Sequence, residues 1–520
     1  MSSIDVSERV AARFIKFAGR ACHHAAMHEI ELKFQVPAER RAALRLAVAG
    51  RQKGPRVRLQ AAYFDTVDRA LATSGLALRV RREGRRWVQT LKGSGSDGMT
   101  RAEHNVALDA PAGEAPPADP TLHDGSAVGE RLRAALAAVA PPRLACVYRT
   151  DIWRTTRRLR TRSGVVELAY DEGVIEAGGQ RLPVCELEIE LLSGSPSAVI
   201  ETARSWVARH GLWLDTRSKA ERGDLLARAE SVAPPRNQQA VVLSRDMSAA
   251  QALRRVLLSC LDQVSVNASQ IASGSYEAEH VHQLRVGLRR LRTALRLFDA
   301  DTTLADLAEP AAALFRQLGP ARDRVAVVQP LERELSGALA AVGLAFEAPA
   351  LAAPGDAAEP AALVRTAAAQ SLLLALFAHT QAEPAPAVDG ELPLRDELAR
   401  RLNRWHRSVV ADAARFAELD DAARHTLRKR AKHLRYGSEF AASLFARRRV
   451  RRMLKPLRAL QDRLGVLIDV LIALAAYRER SASDPHALFA VGWLAARREA
   501  LLRESLPDVT AFARASRFWK

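Results

Sequence analysis

Apolar and polar residues alternate with a period of two over short segments from His28 to about Arg222, and beyond about residue 245 the period lengthens to roughly 3.6. In His28–Val36, the residues Glu29, Glu31, Lys33 and Gln35 point one way while Ile30, Leu32, Phe34 and Val36 point the other. Leu76–Arg82 sets Arg79 and Arg81 opposite Leu78 and Val80, and Glu186, Glu188 and Glu190 share one face of Cys185–Leu191. Further strands are expected around Arg56–Phe64, Arg86–Lys92, Arg101–Leu108, Val147–Arg157 and Val165–Tyr170, with a packed surface helix at Ser197–His210. Ser231–Arg245, with its Pro-Pro pair and glutamines, reads as a linker. The Ala/Pro-rich stretches 347–362 and 381–393 read as loops between helices. The pattern predicts a multidomain chain, α+β then all-α. Its parts are an extension (1–26), a strand-rich domain (27–230), a linker (231–245) and a helical domain (246–520).

The helical part repeats itself. His282-x-x-Arg285-x-x-x-Arg289-x-x-Arg292 is matched by His425-x-x-Arg428-x-x-x-Lys432-x-x-Arg435, and Leu318-Gly319 with Asp323 is matched by Leu464-Gly465 with Asp469. The copies are offset by 143 residues at the histidines and 146 at the aspartates, which argues for duplication.

Charge then narrows the partners. A formal net charge of +19 predicts a polyanion: nucleic acid, anionic lipid or polyphosphate. Cys22, Cys146, Cys185 and Cys260 form no CxxC pair, so a disulfide framework or zinc site is disfavoured and a reducing compartment fits. Apolar runs such as Ser371–Ala378 are too short to span a bilayer. The basic N-terminus lacks an apolar core, so no secretory signal is read and a cytoplasmic location is expected.

Charged alternation on a single strand usually marks a solvated exterior. Here the opposite faces are apolar enough to pack outward against helices, which would leave carboxylates and guanidinium groups inside a barrel. Carboxylates at i and i+2 can share a hard divalent cation, and arginines beside them can hold phosphate oxygens through planar forks. A triphosphate needs both, because its charge must be neutralised before water can attack phosphorus.

Glu29-x-Glu31-x-Lys33 resembles the ExExK signature of the CYTH domain, the triphosphate tunnel metalloenzymes. The resemblance extends in order through Tyr63-Phe64-Asp65-Thr66, Leu78-Arg79-Val80-Arg81, Thr90-Leu91-Lys92-Gly93, Arg101-x-Glu103, Asp171-Glu172-Gly173, Glu186-x-Glu188-x-Glu190-Leu191 and Ser218-Lys219. It implies an antiparallel β-tunnel with flanking helices that binds a triphosphate with Mg²⁺ or Mn²⁺. By carry-over Glu29 and Glu31 hold metal, with Glu188 and Glu186 completing the set. Lys33, Arg79, Arg81, Lys92, Arg101, Arg149, Arg154 and Lys219 clamp phosphate, and a second metal, or a carboxylate such as Glu103 or Asp171, positions water. Arg149 and Arg154 lie five apart, so a regular strand turns at most one of them inward. Glu190 is open between a site role and a structural place at the rim. Family substrates include inorganic tripolyphosphate, thiamine triphosphate, RNA 5′-triphosphates, and ATP for cyclisation. No base pocket is legible, and the basic helical domain favours tripolyphosphate.

Spacings of three and four stack side chains on one helical face. His282, Arg285, Arg289, Arg292 and Arg296 therefore form a basic stripe, and His425, Arg428, Lys432 and Arg435 a second; residues 447–458 add seven more cations. Like charges at i,i+4 cost about 0.2–0.5 kcal/mol per pair, so such stripes invite a polyanion as counter-charge. Val281-His282-Gln283-Leu284-Arg285 and Lys432-His433-Leu434-Arg435-Tyr436 resemble the CHAD domain, the conserved histidine α-helical domain, over about 245–520. That resemblance implies two pseudo-repeated helical bundles binding inorganic polyphosphate, which would place the protein on polyphosphate granules. Pro320 and Arg324 depart from the family pattern. His282 and His425 are expected to contact phosphate, His433 to be structural, and Asp323 and Asp469 to orient arginines or cap helices. The rival readings are a binding protein with an inactive tunnel and a nucleic-acid binder; at 5% aromatics with no stacking module the latter is disfavoured.

Overall fold

The computed structural model describes all residues except 1–26, 52–55, 96, 111–114, 140–141, 301, 321–328, 346–348, 352–357 and 385–391. The expectations for the N-terminal extension, Asp323 and Arg324 lie outside the described residues. Contacts divide the chain into two compact units. One runs to Ile30 and resumes over Val57–Asp151; the other comprises Glu31–Arg56 and Ile152–Lys520.

The strands are β1 (Met27–Gln35), β2 (Arg56–Asp65), β3 (Leu76–Glu83), β4 (Arg86–Ser94), β5 (Thr100–Leu108), β6 (Ala145–Arg160), β7 (Gly164–Ala177), β8 (Gln180–Gly194) and the two-residue β9 (Trp213–Leu214). Their order is β5-β4-β3-β2-β6-β7-β8-β1-β9, and β1 also pairs with β5, which closes an eight-stranded antiparallel barrel.

Within the first unit the apolar face of β3 and β4 is covered by short helices α2 (Ala70–Thr73) and α3 (Ala127–Ala137). Leu71, Leu76, Leu78, Leu91, Val128 and Leu132 form that core. Asp65 is buried there, its carboxylate accepting from the backbone N–H groups of Thr66, Leu71 and Ala72. In Tyr63-Phe64-Asp65-Thr66 this aspartate therefore caps the first turn of α2.

In the second unit α1 (Arg41–Ala49) packs on β7, and α4 (Ser197–His210) covers β7 and β8. Leu32, Phe34, Leu168, Tyr170, Leu187 and Ile189 are all buried, which leaves the polar alternate positions of β1, β7 and β8 facing the other way. Helix α5 (Lys219–Ala227) opens on a capping box between Ser218 and Glu221.

The helical region contains α6 (Ala249–Ala272), α7 (Ala278–Leu297), α8 (Ala305–Gln317), α9 (Gln329–Ala341), α10 (Pro360–Arg365), α11 (Ala367–Gln381), α12 (Leu394–Ala414), α13 (Asp421–Ala441), α14 (Arg447–Arg480) and α15 (Ala487–Ala513). Helix α6 packs on α7, and α13 packs on both α12 and α14. A side chain begun at Gly287 of α7 would come within 2.8 Å of Val264 on α6. Gly287→Leu is therefore expected to lose about 1–3 kcal/mol by overpacking, read as a lower midpoint in urea.

Residues 231–248 have no regular secondary structure, yet they are docked on the helices. Arg236 and Asn267 exchange hydrogen bonds, as do Leu243 and Ser443, and Val241 and Leu243 are buried. Helix α11 meets α4 and β9: the buried Gln370 accepts from the Leu214 N–H at 2.8 Å, and Ser269 of α6 accepts from the Thr216 N–H at 3.0 Å.

Candidate active site and polyanion surface

Register places the polar faces of β1, β8 and β7 in successive rungs. Gln35, Glu186 and Asp171 lie across one another, then Lys33, Glu188 and Ala169, then Glu31, Glu190 and Glu167. Glu31, Lys33, Asp171 and Glu186 are buried. Burying four such groups is tolerable only where charges pair. Arg154, from β6, grips Asp171 with two bonds of 2.7 Å and also reaches Glu188. Lys219, the first residue of α5, bonds Asp171 at 2.7 Å and Glu188 at 2.9 Å, and pairs with Glu186 as well. Lys33 lies 3.5 Å from Glu31.

Burial alone would raise the Glu188 carboxyl, but Lys219, Arg154 and Lys33 hold it well below the usual carboxylate range. The same pairing, against the opposing effect of burial, holds Arg154 and Lys219 protonated well above their ordinary values. One oxygen from each of Asp171, Glu186 and Glu188 lies within 4.8 Å of the others. Three oxygen donors so placed suit a hard divalent cation.

The first unit carries a second cluster. Lys92 of β4 bonds Glu29 at 2.6 Å and Glu103 at 2.7 Å. Glu103 is pushed up by burial, yet Lys92, a hydrogen bond with Glu29 and the nearby Arg79 hold it far below its ordinary value. Arg101 lies across from Glu29 in the β1–β5 ladder, Arg79 donates to the Tyr63 hydroxyl at 3.3 Å, and Arg81 pairs with Glu83.

Arg149 is exposed, whereas Arg154 shares the parity of buried Tyr148, Thr150 and Ile152, so of the two it is Arg154 that meets the carboxylates. Glu29 and Glu31, expected as metal ligands, are engaged with Lys92 and Lys33, while Asp171, expected to position water, joins Glu186 and Glu188. The expected phosphate clamps Arg154 and Lys219 hold those same carboxylates. Sequence reasoning missed Arg222, buried and paired with Glu186, and Gln35, which donates to Asp215 at 3.1 Å. Arg222 sits one turn after Lys219 on α5, and that spacing was its signal.

On the helical region the first stripe lies on α7. Arg285, Arg289 and Arg292 gather over the Phe315 ring at 4.4, 5.0 and 5.8 Å from its centroid. Arg290, between them, is buried instead and donates to Gln263 and Ser259. Burial together with Arg296, Arg316 and Arg289 lowers the Arg292 pKa, the mark of crowded positive charge. His282, partly buried, begins this stripe.

The second stripe lies on α13, which packs on α7. The pKa of His425 is lowered by burial, Lys429, Arg428 and Lys432. Arg435 is engaged by Gln461 at 2.6 Å and Glu439 at 3.2 Å, and Asp469 stands 3.9 Å from Arg428. The duplication extends to geometry. A methyl on Gly319 would lie 3.1 Å from the Arg285 guanidinium, and one on Gly465 would lie 3.7 Å from that of Arg428. Each Leu-Gly pair thus leaves room beneath the first arginine of its stripe.

His433 joins the two helices, its Nδ1 2.9 Å from the Thr293 hydroxyl and its Nε2 3.3 Å from Arg296. Burial first, then Arg296, Arg292 and Arg289, push it down to about 4. Unfolded histidine takes its proton near 6.5. The stabilisation conferred by neutral His433 is thus complete above about 6.5 and lost as pH falls toward 4. His433→Gln is expected to flatten the decline of the melting temperature across that window, measured by calorimetry in buffers from pH 7 to pH 4.

Residues 27–223 match the family model of the CYTH domain, and residues 255–478 match that of the CHAD domain. An inorganic triphosphatase from Haemophilus influenzae is 28% identical over 169 residues, 32% of this chain and 44% of that protein. The chain thus spans less than half the length of the curated relative it matches. Among solved structures, the CHAD domain from the plant Ricinus communis is 28% identical and covers 55% of this chain and 98% of its own, with a TM-score of 0.43. A protein from Hippeastrum, classed as an adenylyl cyclase and showing a dominant triphosphatase activity, is 17% identical and covers 39% of this chain and 96% of its own, with a TM-score of 0.28. No helix among the described residues is long and apolar enough to cross a membrane.

Proposed function

We propose, on the premise that this chain carries a CYTH domain followed by a CHAD domain, that it hydrolyses inorganic tripolyphosphate or a related triphosphate and binds inorganic polyphosphate through its helical stripes. The observation that carries the first half is the interlocked set of Asp171, Glu186 and Glu188 with Arg154 and Lys219. A divalent cation held by those three carboxylates, Mg²⁺ or Mn²⁺, would supply charge neutralisation at the phosphate oxygens. Arg154 and Lys219 are then available to exchange carboxylate for phosphate oxygens, which present the same fork-matching geometry to Arg154. Lys33, Arg79, Arg81, Lys92 and Arg101 are assigned to the remaining phosphate charge. Glu103, held ionised beside Lys92, is too weak a base to take a proton readily and is better suited to orienting the attacking water.

The second half draws on the stripes of α7 and α13, where burial and neighbouring cations lower the pKa values of Arg292 and His425. On this reading the helical domain would tether the chain to polyphosphate granules in the cytoplasm. The alternative, a binding protein without turnover, draws on the fact that carboxylates and cations here already satisfy one another.

Orthophosphate release from tripolyphosphate with Mg²⁺ or Mn²⁺ tests the reading. Release is expected from the parent chain and its loss from Asp171→Asn/Glu188→Gln. No release with either metal would favour the binding reading, and cyclic AMP made from ATP would favour a cyclase.

A further inference from the structure

Helix α14 begins in a way that free helices avoid. Its Ala446 cap supplies no side-chain hydrogen bond and its first turn contains no acid, yet Arg447, Arg448, Arg449, Arg451 and Arg452 crowd its first two turns. A helix N-terminus already carries partial positive charge, so these arginines oppose its dipole. Beside them lies a cavity of about 830 Å³, walled by α12, the start of α14 and the 513–520 tail.

Arg407, Arg449, Arg452 and Arg517 line this cavity together with His406, and among the described residues no Asp or Glu does. Among the described residues none of the four arginines forms an ion pair with a carboxylate side chain. Arg449 donates to the Lys520 main-chain oxygen at 2.9 Å, and Arg517 donates to Asn403. Arginines nearby are paired differently: Arg430 with Asp412 at 2.6 Å, Arg458 with Glu439 at 2.9 Å, and Arg463 with Glu504 at 2.9 Å. His406 is buried, and its Nε2 has no hydrogen-bond partner. The rings of Phe512 and Trp519 lie 5.5 and 5.8 Å from it. Guanidinium groups that no carboxylate side chain answers, gathered at an uncapped helix start, suit an anion, and planar forks favour phosphate.

We propose that this cavity is a separate binding site for a compact oligophosphate group, either free pyrophosphate or tripolyphosphate or the phosphate tail of a nucleotide. It is built from α12, the start of α14 and the tail, and none of its residues belongs to the α7 and α13 stripes. It stands whether or not the chain turns over tripolyphosphate. The volume suits a small ligand, whereas a long polymer is served by the open stripes.

Amide hydrogen exchange on the full chain locates the ligand directly. Pyrophosphate and tripolyphosphate are expected to protect peptides covering 447–453. The half-saturating concentration should rise at least about tenfold in Arg452→Gln or Arg449→Gln, as loss of a charge-assisted bond implies. Arg285→Gln, on the α7 stripe, should leave it unmoved. Protection by ADP as well would identify a nucleotide tail as an accepted source; protection by the inorganic ions alone would restrict the site to them. Equal protection by sulfate at matched ionic strength, no protection, or an unchanged half-saturation in Arg452→Gln would overturn the proposal. So would protection by long-chain polyphosphate alone, which would make the α14 arginines part of the polymer surface.

Discussion

Glu188→Gln is expected to reduce phosphate release from tripolyphosphate by about 10³-fold while the chain stays folded. Glu188 lies between Lys219 and Arg154 and contributes one of the three clustered carboxylate oxygens, so the substitution removes a ligand charge at the centre of the cluster. The glutamine amide keeps the shape and one oxygen, and the two cations retain Asp171. The neighbouring Glu186→Gln should behave differently. Glu186 is buried and answers both Lys219 and the buried Arg222, so neutralising it leaves cationic charge inadequately paired in the interior. A loss of about 3–5 kcal/mol in stability is expected there, measured by denaturant unfolding. Turnover by Glu188→Gln within tenfold of the parent would remove this residue from the chemistry. A stable Glu186→Gln would show that Arg222 finds another partner, Asp215 being the nearest candidate in charge.

The second large effect concerns polymer binding. Arg289→Glu combined with Lys432→Glu reverses one charge on each stripe and is expected to weaken binding of long-chain polyphosphate by about 10²-fold, measured by titration at fixed salt. Because each neutralised phosphate releases counterions, the logarithmic dependence on salt should become shallower by roughly 0.7 per lost contact. His433 lies between the Arg292 and Arg296 side of α7 and its own helix α13. A bound polyanion should therefore raise its pKa, and an NMR titration of this imidazole would register the polymer. An unchanged affinity with an unchanged salt slope would place the polymer elsewhere.

Much of this arrangement is visible in the sequence, and the limits have physical causes. Alternation in His28–Val36 separates Glu29, Glu31 and Lys33 from Leu32 and Phe34 because a strand's period is two, and the ladder keeps that separation. The helix Ser197–His210 has the same bounds in sequence and structure, since its apolar spacing runs into Gly211 in the left-handed conformation. Strand β7 runs well past Tyr170, because Asp171, read from sequence as part of a separate motif, pairs across from Glu186 within the ladder. Which cation answers which carboxylate is a tertiary fact. Lys219 lies some thirty residues from Glu188, and only the turn into α5 brings them together. Arg285 and Arg290 look alike in a charge count, yet one lies over Phe315 and the other is buried against Gln263.

The stretch 231–248 bears on how this protein can be taken apart. Clipped there by a protease, the chain would not be expected to fall into two pieces, because Gln370 and Ser269 still grip Leu214 and Thr216 from across the cut. Expressing residues 246–520 alone would strip Gln370 of its buried partner and uncover the part of α11 that meets α4 and β9. Poor solubility of such a fragment would report a torn interface rather than a failed fold. The better dissection is by substitution within the whole chain.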